Sequence, residues 1–146
     1  MNNMKKLTIT LAALSSLALA NNVTLTNYLG TQEKSLILEL SDNQAHWDQY
    51  DINYGMQGNV PMLDKKDADG NKGWSSWNIR KGTGEYCGTV TLQIDGKNNM
   101  FISNFVAPTS PDGCTISGLV LCKPKSELPY CDHGNNYYSM VVGSIQ

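Results

Sequence analysis

Two histidines stand beside carboxylates in this chain. His46 is flanked by Asp42, Trp47 and Asp48, and His133 follows Asp132. A histidine with a carboxylate neighbour can act as a general base, since its ring titrates near neutrality and the acid fixes its tautomer. A hydrolase also needs an activated nucleophile. The chain has no Gly-x-Ser-x-Gly elbow, no Ser-x-x-Lys, no His-Glu-x-x-His and no phosphate-binding loop. His46 with Asp48 and His133 with Asp132 are therefore the catalytic candidates for a small secreted hydrolase, and loop histidines otherwise.

Hard-cation chemistry points to one cluster. Asp67, Asp69 and Asn71 alternate along Asp67-Ala68-Asp69-Gly70-Asn71. Alternate oxygen side chains on a turn can face one calcium ion, which takes six to eight oxygens. Lys72 and Asn78 stand where an EF-hand loop carries glycine and glutamate, so the match is poor. Asp, Asn and Gly also favour turns for their own reasons. No cofactor is expected beyond this calcium candidate.

Aromatic residues offer a third chemistry. Trp47 and Tyr54 precede the acidic cluster, and Trp74 and Trp77 follow it. Rings next to amides and carboxylates suit a sugar or a protein surface, because the ring gives flat apolar area and the neighbours give hydrogen bonds. Trp47, Tyr54, Trp74 and Trp77 are the binding candidates. An offset of three puts Trp74 and Trp77 on opposite faces of a regular strand, so one of them is expected outside the core.

The cysteines are read through the start of the chain. Residues 1–20 combine Lys5 and Lys6, a short apolar run and the closing Ala18-Leu19-Ala20. This is the pattern of a bacterial-type secretory signal, too short and polar for a membrane span. The mature protein is expected to start at Asn21, in the periplasm or outside the cell. Cys87, Cys114, Cys122 and Cys131 then read as two disulfides. Three pairings are possible. If residues 114–122 form one strand, Cys114 and Cys122 stand roughly 26 Å apart, far beyond disulfide reach. The pairing favoured is Cys87 with Cys114 and Cys122 with Cys131.

These residues need a scaffold. Without Lys5 and Lys6 the chain keeps nine basic and thirteen acidic groups, a net charge of −4, which argues against nucleic acid as a partner. Nothing after residue 20 reads as a transmembrane segment. Residues 21–146 are long enough for one domain with a real core. Period-two or apolar segments recur at 22–28, 34–40, 50–54, 74–80, 85–95, 100–106, 115–121 and 137–145. Asp95-Gly96 is a hairpin signal between two of them. On 85–95, Tyr86, Gly88, Val90, Leu92 and Ile94 share one face, and Thr89, Thr91 and Gln93 the other. Residues 55–73 fit no element and read as a long loop, and 43–50 as at most one helical turn. The expectation is an all-β, disulfide-braced antiparallel sandwich or small barrel of about eight strands. Fold alone does not choose among functions. The first reading is a binding or effector module for a glycan or protein ligand. The alternatives are the hydrolase above and an inhibitor that presents the loop between Cys122 and Cys131 to a host protein.

Overall fold

The computed structural model describes residues 19–41, 51–66, 70, 72–110, 113–124, 138–142 and 144–146. Eleven strands and no helix occur among them: β1 (Leu19–Tyr28), β2 (Leu36–Leu40), β3 (Asp51–Ile52), β4 (Gln57–Lys66), β5 (Lys72–Lys81), β6 (Tyr86–Ile94), β7 (Met100–Val106), β8 (Ile116–Ser117), β9 (Val120–Cys122), β10 (Tyr138–Val141) and β11 (Ser144–Ile145). The all-β, sandwich-like class expected from alternation is the one observed.

β5 is the corner of the sandwich. Near its start it pairs with β4, Trp74 opposite Leu63. Along its second half it pairs with β2, from Trp77 opposite Leu40 to Lys81 opposite Leu36. β6 follows its other edge from end to end. One hydrogen-bonded path thus runs β3-β2-β5-β4-β1-β10-β9, with β6 and β7 branching from β5. Folded at β5, it makes two layers, β3-β2-β5-β6-β7 and β4-β1-β10-β9. β10 lies parallel to β1, and the other pairings are antiparallel. β8 and β11 form a separate small ladder.

The core is what alternation on each layer directs inward. Leu36, Leu38, Ile52, Trp77, Ile79, Val90, Leu92, Ile94 and Met100 come from one layer, and Leu25, Val60, Met62, Tyr138 and Met140 from the other, all buried. Two polar contacts fasten the layers. The Tyr138 hydroxyl accepts the Met100 amide at 2.9 Å. Asn27, fully buried on β1, donates its side-chain amide to the carbonyls of Leu36 and Ile52 at 2.9 and 2.7 Å. Its carbonyl oxygen accepts the Leu29 amide at 2.9 Å.

Cys87 and Cys114 are bonded, with Cα atoms 5.0 Å apart. The reason lies in a bulge. The register slips between Ile79 opposite Gly88 and Arg80 opposite Tyr86, which leaves Cys87 as the extra residue. Gly88 takes φ 139°, and a Cβ there would sit 2.5 Å from the Phe105 ring. The slip reverses parity, so Cys87 points inward. Tyr86, expected inside with Val90, Leu92 and Ile94, lies half-buried on the opposite face. Cys122 is also disulfide-bonded; Cys131 lies outside the described residues.

Other expectations are corrected. Residues 55–73 are not a loop: Gln57–Lys66 is a ten-residue strand with Gly58, Val60 and Met62 buried at period two. Gly58 and Pro61 disguise it. Pro61 is tolerated because β4 has only β1 as a partner there, and β5 takes its other edge from Leu63 onward. Residues 115–121 are not one strand either. Gly118, at φ 65°, breaks them into β8 and β9, which join different ladders. Residues 137–145 divide likewise into β10 and β11. The hairpin at Asp95 is longer than two residues: Asn98 takes φ 62°, and the Asp95 carboxylate accepts the amides of Lys97 and Asn99.

Candidate outer-face binding site

The layer β3-β2-β5-β6-β7 turns its second face outward, and that face is built in rows. Cross-strand partners on an antiparallel sheet point the same way. Trp74, Gln93 and Phe101 are partners across β5, β6 and β7. Ser76, Thr91 and Asn104 form the next row. Asp51, Glu39, Asn78, Thr89 and Val106 form the third. Ile37, Arg80 and Tyr86 form the fourth. Trp74 and Phe101 are half-buried and do not join the apolar residues packed against the core, whereas Ile102 and Phe105 do. Their exposed area therefore faces outward.

The polar residues between the rings hold one another in place. Ser76 and Thr91 share a hydroxyl–hydroxyl bond of 3.0 Å. The Thr89 hydroxyl donates to Asn78 Oδ1 at 2.8 Å and lies 2.5 Å from the Tyr86 hydroxyl. Glu39 Oε2 accepts Arg80 Nε at 2.6 Å, and the guanidinium lies 5.5 Å from the centre of the Tyr86 ring. Asp51 faces Glu39 across β2 and β3; partial burial and then the Glu39 charge push its carboxyl above the ordinary carboxylate range. The Arg80 charge is thus balanced on the face itself, and the polar groups of the first two rows, Gln93, Ser76, Thr91 and Asn104, are amides and hydroxyls.

On the other layer the outer side is buried at Thr26 and Ser139 but exposed on β4 at Gln57 and Asn59, the partners of Thr26 and Thr24. Thr26 and Ser139 alternate with core-lining Leu25, Tyr138 and Met140, yet they are only 1 and 2 % exposed. Their hydroxyls have no hydrogen-bond partner among the described residues. Cys122, opposite Ser139, is buried as well. Elsewhere a cleft of about 330 Å³ opens between the turns at 31–34 and 81–84, floored by Leu36. Lys81 on its wall already donates to the Gly113 carbonyl.

The sequence candidates scatter over this structure. Trp74 is on the outer face. Trp77 is in the core at 0 % exposure and so has no surface to offer a ligand, which removes it from the binding set. Tyr54 packs edge-on against Tyr28, ring centres 6.1 Å apart, just before β4 begins. Trp74 pairs with Leu63, six residues into that strand and about 20 Å further on, so Tyr54 and Trp74 do not form one patch. Trp47, His46, Asp48, Asp132, His133, Asp67, Asp69 and Asn71 lie outside the described residues. Among the described residues no group of three His, Cys, Asp or Glu side chains is placed to hold a metal. Phe101, Tyr86 and Arg80 were missed. Alternation indicated Gln93, Thr89 and Thr91 as outward-facing, but the rings beside them come from neighbouring strands.

Among the described residues no helix is long and apolar enough to cross a membrane. Compared with protein-family models, with curated proteins and with solved structures, the chain finds no match.

Proposed function

We propose that this protein is a secreted, disulfide-braced binding module of bacterial type, working in the periplasm or outside the cell, and that its ligand lies on the outer face of the β3-β2-β5-β6-β7 layer. The observation that supports this reading most is the row of Trp74, Gln93 and Phe101. It places two partly exposed rings on three paired strands, away from the core, beside a field of braced amides and hydroxyls. A rigid scaffold with pre-set polar groups lowers the ordering cost of binding.

The test is a binding panel of glycans and host-surface proteins, read with the wild-type chain and with Trp74→Ala and Phe101→Ala. Melting curves confirm that the variants fold. The reading expects detected ligands to lose affinity with either change. Binding that ignores both changes would remove the face from the function.

A further inference from the structure

We infer that the ligand of this face is a neutral, extended β-linked glycan chain lying across the strands, with one sugar on Trp74, one on Phe101 and one between them over Gln93. The inference rests on the outer-face reading and adds the class and direction of the ligand.

Three observations carry it. The first is spacing. Trp74 and Phe101 sit on strands separated by one other strand, so their Cα atoms are about 9–10 Å apart at the usual strand spacing. A pyranose in an extended β-1,4 chain advances about as far as one strand spacing. Successive units flip over, so every second unit turns the same face to the same side. Platforms two strands apart therefore match every second sugar, with the intervening one above Gln93. The second observation is chemistry. A pyranose ring has a flat C–H face that stacks on an aromatic ring and a rim of hydroxyls that both donate and accept. The next row supplies Ser76, Thr91 and Asn104 at the level of that rim. The Asn104 amide is exposed there, beside the half-buried Trp74 ring. The third is charge. Of the four rows only the fourth holds a cation, Arg80, which is paired with Glu39 at 2.6 Å three rows away from Trp74. The two rows around the rings carry no charged side chain, which suits an uncharged chain.

The experiment uses the exported, disulfide-intact protein and two soluble series, β-1,4-linked glucose and β-1,4-linked N-acetylglucosamine, from dimer to hexamer. Calorimetry reads affinity and amide NMR shifts map the site. The expected result is a step in affinity from dimer to trimer in at least one series, because the trimer is the first length that covers both rings. Trp74→Ala and Phe101→Ala should each weaken the trimer by about tenfold and erase the step. Lys123→Gln, at an exposed position just past β9 on the other layer, should leave it unchanged. No binding by either series at millimolar sugar overturns the inference, while the panel in the preceding section still decides the face. Binding that depends on Trp74 without a length step overturns the cross-strand chain and leaves the face standing. Binding that neither substitution weakens overturns both.

Discussion

Replacing Asn27 by alanine tests the fastening of the two layers. The side chain is 0 % exposed and makes three hydrogen bonds, two as donor and one as acceptor. Its main-chain bonds to Met56 and Gly55 survive the change. A buried hydrogen bond contributes about 1 kcal/mol net, and a group left buried without a partner costs about 1–3 kcal/mol. Alanine orphans the Leu29 amide and removes the donors facing Leu36 and Ile52, so the loss should be about 3–4 kcal/mol. At about 4 °C per kcal/mol for a domain of this size, Tm falls by about 12–16 °C. Reversible melting followed by circular dichroism without reductant measures it. Thr24→Ala is the control, because its partner Asn59 is met at 3.3 Å on an exposed edge; it should cost well under 1 kcal/mol. Asn27→Asp should be worse than alanine at neutral pH, since a carboxylate would face two carbonyl oxygens. That variant should recover as pH falls, because its folded carboxyl would titrate above the unfolded one. A loss below about 1 kcal/mol for Asn27→Ala would refute the reasoning and mean that the layers hold together by apolar contact alone.

Leu92→Ala should cost about 2–5 kcal/mol in denaturant unfolding, because Leu92 is fully buried and its removal leaves a cavity. Thr91→Ala, on the outer face with only a hydroxyl bond to Ser76, should cost about 1 kcal/mol or less. Gly88→Ala should lose about 2 kcal/mol or more, since its φ of 139° and the Phe105 ring both oppose a methyl group; a neutral result would mean the bulge is absent in solution. Mass spectrometry of the exported chain should link Cys87 to Cys114 in one peptide pair, and Cys114→Ala should cost about 3 kcal/mol through the freed unfolded chain. Two carboxylates should pull the pH profile in opposite directions. Asp51 is raised by burial and Glu39, so its ionisation destabilises the fold at neutral pH, and the penalty lifts as pH falls through its folded pKa. Asp95 is lowered by the amides of Asn99 and Lys97, so its stabilisation holds above the unfolded value and is lost as pH falls through the folded one. Asp51→Asn should raise Tm at pH 7 and Asp95→Asn should lower it.

What could be read in advance is what a strand carries within itself. Side chains alternate at period two whatever the partner, so Val90, Leu92 and Ile94 were assigned to the core from their own neighbours. Asp95-Gly96 marks a turn by local chemistry, and the odd offset between Trp74 and Trp77 separates them on any regular strand. That parity did not say which ring goes inside. Packing against Leu40 and Val90 decided for Trp77. Tyr86 was misplaced because a single extra residue at Cys87 reverses every assignment beyond it, and the bulge exists where β6 must meet both Ile79 and the disulfide to Cys114. β4 stayed hidden because Gly58 and Pro61 break strands in general but are accepted where one edge is free. Asn27 looks like any polar strand residue until Leu36 and Ile52, from two other strands, close over it. The candidate site is the extreme case. Trp74, Gln93 and Phe101 are far apart along the chain, and only pairing across three strands sets them in one row. Register between strands is a long-range quantity, set by which hydrophobic faces meet. The sequence alone determined the periodicity, the turns and the cysteine chemistry; the row of rings became a surface only when β5 paired with β6 and β6 with β7.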